Sequence, residues 1–160
     1  MGDSLLKLMI IKPFENISIT EITKMSGVSR MTFYRNFSSK EDVLIYKIGI
    51  LFDSWIKDNP ISSNPDYNKL ILNYFKMLLI NKDILQILYD SGCLDILQGF
   101  LNKLLWYHLS DEDISFRRAF YSYGLYGVTI EWIKGKFIHT PEDMTKIMMD
   151  NLNIINISYT

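Results

Sequence analysis

The chain has 160 residues, 48% of them hydrophobic, and its 18 acidic and 17 basic side chains give a net charge of −1. This is enough apolar material for one small unit or a small domain joined to a larger one, and the balance excludes nucleic-acid binding through bulk positive charge. The lone Cys93 can form neither an internal disulfide nor a thiolate zinc site and reads as a small buried hydrophobe. No apolar run approaches the roughly 18–20 residues that span a bilayer. No signal-peptide pattern stands at the start, and Leu6 sits where a myristoylation signal needs Ser or Thr. A cytoplasmic protein without membrane contact is expected.

Helical periodicity runs through the chain with no convincing strand, which predicts an all-α fold of about nine helices. The first helix runs from Ser4 to Lys12 and stops near Pro13. Ser18-Ile19-Thr20-Glu21 has the form of a capping box, in which the Ser hydroxyl takes a free backbone N–H and the Glu reaches back to the cap. Gly27 supplies the freedom to turn sharply after Met25. Ser29 is placed to cap a helix through Phe37, and Ser38-Ser39-Lys40-Glu41 repeats the capping device before a long helix reaching about Lys57. Ile22, Met25, Val28, Phe33 and Phe37 are spaced to face a small core, while Arg30, Thr32, Tyr34 and Arg35 fall largely on the other side. From Lys24 to Lys40 there are four basic residues and no acidic one. Residues 1–47 carry net +2 and the remainder −3, so the positive charge is local, as a single docking face would make it. Helix, Gly-containing turn, helix is the layout of a helix-turn-helix reader.

In this register the residues resemble the TetR family of bacterial transcriptional regulators. The resemblance rests on Ile19-Thr20-Glu21-Ile22, Ser26-Gly27-Val28-Ser29, Thr32-Phe33-Tyr34-Arg35-Asn36-Phe37 and Lys40-Glu41-Asp42-Val43, and covers about the first third of the chain. It implies a DNA-binding domain over 1–47 and a regulatory, dimerising helical domain over 48–160. It implies that Tyr34 and Lys40 hold phosphate oxygens, with Ser29 and Thr20 as further phosphate contacts at helix starts. Arg30 is the expected base reader, through O6 and N7 of guanine. Lys24, Thr32 and Arg35 complete the expected DNA-contacting set. A basic arm usual before the first helix of this family is missing, since only Met1-Gly2-Asp3 precede it.

Beyond the reader, Asp58 to Asp66, with Pro60 and Pro65, reads as a linker. Helices are expected over Tyr67–Ile80, Lys82–Tyr89, Cys93–Leu109 and Asp111–Gly135, and Thr140-Pro141-Glu142-Asp143 begins the last one with a cap, a first-position Pro and first-turn acids. That helix carries the apolar stripe Met144, Ile147, Met148 and Leu152, and the preceding one carries Gly124, Gly127, Val128 and Trp132. Such stripes suit either an internal core or a partner. The resemblance implies a homodimer through the last two helices, with Gly124, Gly127, Val128, Trp132, Met144, Ile147 and Met148 at the interface. Residues 124–135 also resemble a short, DhaS-like subgroup of these regulators. Most aromatics lie after residue 50, and Trp55, Tyr74, Tyr89, Phe100, Trp106 and Tyr123 are the expected lining of a pocket for an apolar or cationic effector, if these residues are not simply core.

Little favours an enzyme. His108 and His139 are far apart, each without a metal-spaced partner, and no phosphate-cradling Gly loop or nucleophile motif is present, so neither cofactor nor metal is expected. The expected function is a regulator, most simply a repressor, that binds a palindromic operator as a homodimer and answers to a small molecule. The alternative is a helical co-regulator or DhaS-type activator without its own small-molecule ligand.

Overall fold

The computed structural model describes residues 1–60, 66–108 and 114–157, with side chains for all of these except 105–108, 114, 115, 117, 118 and 152–157. Among the described residues there are nine α-helices and no strand: α1 (Gly2–Ile11), α2 (Ile19–Ser26), α3 (Arg30–Asn36), α4 (Lys40–Asp58), α5 (Tyr67–Ile80), α6 (Lys82–Asp90), α7 (Ile96–His108), α8 (Ile114–Lys134) and α9 (Pro141–Ile157). A 3₁₀ turn over Phe14–Asn16, unforeseen from sequence, joins α1 to α2. No described helix is long and apolar enough to cross a membrane.

Local chemistry sets most of the boundaries. The Ser18–Glu21 capping box forms at α2, and Thr140 with Asp143 closes a reciprocal pair at the start of α9. Before α4 the box is Ser39 with Asp42, one residue later than the expected Ser38–Glu41 pair. Gly27 has φ 67°, in the left-handed region, and the amide of Val28 donates to the carbonyl of Thr23, so the chain leaves α2 in a tight reversal. Gly92, also at φ 67°, delays the start of α7 to Ile96 rather than Cys93.

α1 packs on α2 and α4, α2 on α3, and α4 continues as a 19-residue rod, about 28 Å long at 1.5 Å per residue, that reaches α5 and α7. α8 packs chiefly on α7 and α9 on α5. Buried side chains form one cluster from Leu5, Ile22 and Phe33 through Ile48 and Phe52 to Phe75, Leu101 and Ile133. The apolar core therefore passes from the reader into the bundle without a break, and α4 belongs to both.

Candidate nucleic-acid interface

α3 is held by its cap and by one anchor. The Ser29 hydroxyl accepts from the amide of Thr32 at 3.0 Å, and the Phe33 ring is fully buried, edge-on to Tyr34 at 5.4 Å and tilted on Phe37 at 6.0 Å. With Phe33 fixed inward, Arg30, Met31, Tyr34, Arg35 and Asn36 are left exposed, and Thr32 is half-buried. Arg30 and Tyr34, one turn apart, are pre-arranged: the guanidinium lies 5.9 Å from the ring centroid and donates to the phenol oxygen at 3.5 Å. Thr20 and Lys24 are exposed on α2. Met25, expected in the small core, is 44% exposed.

The scaffold beneath is tied by charge. Glu21 bonds Lys12 of α1 and both the amide and hydroxyl of Ser18, and these bonds, the Lys12 one first, hold its carboxyl down at about 2. Asp3 and Lys47 pair at 2.7 Å, joining the start of α1 to α4.

Lys40 has a different role from the phosphate contact expected of it. Its ammonium donates to the carbonyls of Phe14 at 2.7 Å, Glu15 at 2.9 Å and Ile17 at 3.1 Å, and lies 4.7 Å from the Phe14 ring centroid. An ammonium has three protons, and all three are taken. Lys40 thus pins the 3₁₀ turn to the start of α4. Lys40→Met should lower stability by about 2–4 kcal/mol, since hydrogen bonds to a charged group each contribute about 1.5–3 kcal/mol and are not additive. It should leave the salt dependence of DNA binding unchanged, whereas loss of a phosphate contact lowers that slope by about 1. Urea melts and binding titrations across salt read the two effects separately.

The expected dimer residues divide. Trp132, Met144 and Met148 are buried within the protomer and do not present a surface to a second chain, a correction to the sequence expectation. Gly124, Gly127 and Ile147 are exposed and Val128 is half-buried. Sequence reading missed the residues beside them: Phe116 (85% exposed), Phe120 (55%) and Tyr123 (62%) share one stripe of α8 with the two glycines. The opposite face of α8 buries Ser122, Leu125, Thr129, Trp132 and Ile133.

The expected effector lining is mostly engaged in packing. Tyr74 is buried with its hydroxyl 2.9 Å from that of Thr129, and burial raises its pKa. Phe100 is stacked on Phe52 at 4.9 Å. Tyr89 packs half-buried on the core, and Tyr123 is on the exposed stripe. Trp55 is buried, and its indole N–H, like the Gln98 side-chain carbonyl, has no hydrogen-bond partner among the described residues. The side chains of Trp106 and Leu152 lie outside the described residues. Cys93 is half-buried, with burial pushing its thiol up. Among the described residues no three His, Cys, Asp or Glu side chains gather where a metal could sit.

A capped, basic helix presented by a Gly turn and built onto an α-helical bundle defines a helix-turn-helix protein. The chain belongs to the TetR family: residues 3–46 match the family model described as "Bacterial regulatory proteins, tetR family", and residues 66–154 match "Transcriptional regulator C-terminal region". It is a DNA-binding transcriptional regulator and not an enzyme. No curated protein matches it in sequence. A solved structure described as "Dihydroxyacetone kinase operon activator DhaS" is similar over 98% of this chain and 93% of that chain, with a TM-score of 0.54 and 21% identity, a likeness that shows the fold.

Proposed function

We propose that the protein binds a palindromic operator as a homodimer and represses transcription by occupying it. The observation that carries this reading is α3, where Arg30, Tyr34 and Arg35 are exposed around a helix whose Phe33 is locked in the core. Arg30 has the geometry to take O6 and N7 of a guanine in the major groove, and its contact with Tyr34 limits the rotamers to be frozen on binding. Tyr34, Arg35, Lys24, Thr20, Ser29 and Thr32 surround it as backbone contacts that set register without carrying sequence information. One such helix spans only a few base pairs. Two, about 34–36 Å apart on a two-fold axis, read successive major grooves.

The exposed stripe of α8 supports the pairing. Phe116, Phe120, Tyr123, Gly124 and Gly127 lie along one side, and a Cβ built at either glycine meets nothing within 4 Å in the protomer, so a second helix can approach closely there. Control by a small-molecule effector stays outside this reading. Tyr74 and Phe100 are engaged in packing, and the observations in its favour are the partnerless Trp55 N–H and Gln98 carbonyl.

Gel-shift titration against the DNA upstream of the protein's own gene tests DNA reading. Arg30→Ala should weaken specific binding by about 5- to 150-fold, the equivalent of 1–3 kcal/mol, and relax preference at one base pair per half-site. Tyr34→Ala should weaken all sequences alike. Binding that survives the double substitution unchanged would remove α3 from the interface.

A further inference from the structure

Met31 is 83% exposed, among the most exposed large apolar side chains in the protein, and it stands in the first turn of α3 between Ser29-Arg30 and Tyr34-Arg35. Helical spacing puts it one turn from Tyr34 and Arg35, on the flank of the face that carries Arg30. It takes no part in the core, which α3 reaches through Phe33. A flexible apolar side chain held out to solvent in the most basic segment of the chain calls for a partner surface that is apolar at one point and anionic around it. The major groove of DNA is such a surface, since among its base edges the thymine C5-methyl is the apolar group. The first residues of a recognition helix are those that reach base edges.

We propose that Met31 is a specificity-determining residue that packs its thioether against a thymine methyl within the half-site read by Arg30. The inference rests on the DNA-reading assignment and goes beyond it by naming a base. The unbranched side chain, with three rotatable bonds and a polarisable sulfur, fits itself to the methyl without demanding one fixed geometry. Removing one buried methyl is worth about 0.8 kcal/mol, or about fourfold in affinity per half-site, and on the order of tenfold when both half-sites of a palindrome are changed.

The experiment uses the full chain. A binding duplex is selected from random-sequence DNA, and each thymine, with its symmetry mate, is replaced by deoxyuridine, which removes the methyl and keeps every hydrogen-bonding group. At one thymine the replacement should weaken the unsubstituted protein by on the order of tenfold. Met31→Ala should bind the thymine and uracil duplexes equally, and Met31→Leu should restore the preference. Thermal melting of Met31→Ala should match the unsubstituted protein, because the side chain is outside the core. A methyl dependence that is absent, or that persists unchanged in Met31→Ala, overturns the proposal while leaving DNA reading intact. Failure to select any duplex over random DNA overturns both.

Discussion

Trp132→Ala should lower the stability of the protomer by about 3–5 kcal/mol, the range for emptying a buried aromatic site. Urea unfolding followed by circular dichroism reads it directly. Trp132 sits near the end of α8 with its ring edge-on to Phe75 at 5.3 Å and to Phe137 at 5.0 Å, and its indole N–H donates to the carbonyl of His139 at 3.0 Å. The link it braces is strained. Lys136 and Phe137 take φ of 56° and 57°, left-handed backbone that residues with a Cβ adopt at a cost of about 1–3 kcal/mol each. Such a conformation persists only where neighbours over-determine it. Here they do so by holding the Phe137 ring against Trp132 and by bonding the amides of Lys136 and Phe137 back to Ile133 and Trp132. Release of strain in the variant will offset part of the lost packing. Trp132→Phe keeps an aromatic face and deletes the N–H, so it should cost less than Trp132→Ala. A loss under about 1 kcal/mol for Trp132→Ala would show that the turn stands without its brace.

That location also shows where sequence reading succeeds and fails. Caps were legible because they are local: Ser18 with Glu21 and Thr140 with Asp143 need only residues three apart. At residues 38–42 the same rule fits two overlapping registers, Ser38–Glu41 and Ser39–Asp42, and burial of Val43 and Leu44 selects the second. α8 is apolar around its whole circumference, so periodicity cannot say which side meets the core. The structure buries two polar side chains there, Ser122 bonded to Gln98 and Asn102 and Thr129 bonded to Tyr74, and leaves Phe116 and Phe120 outside. Hydropathy ranks those sites the other way round, which is why Trp132, Met144 and Met148 were assigned to the wrong surface. Lys40 was misjudged for a related reason. Its carbonyl partners lie 23 to 26 residues earlier, in a turn with no sequence signature. The reader itself was legible because its cap, Gly turn and buried Phe33 fall within a dozen residues.

Gly127→Glu should convert the protein to a monomer and weaken operator binding by at least about 100-fold, with the protomer as stable as before or slightly more so. The glycine is exposed and a Cβ there meets nothing in the protomer, so replacement in mid-helix should gain a few tenths of a kcal/mol in helix propensity. At a two-fold interface each copy would contribute one carboxylate to a face otherwise made by Phe116, Phe120 and Tyr123. Burying two like charges without partners costs several kcal/mol, more than an interface of this kind can return. The DNA effect follows from the loss of the second half-site. A single α3 retains only its own base contacts and phosphates, and affinity falls from the specific range, about 10⁻⁸–10⁻¹¹ M, toward the non-specific one, about 10⁻⁴–10⁻⁶ M. Sedimentation at micromolar concentration, thermal melting and operator titration at fixed salt together separate this from misfolding. A stable dimer that binds operator normally with Glu at 127 would move the interface off α8. A stable monomer that still binds a palindrome at full affinity would mean that DNA, rather than the free protein, assembles the pair.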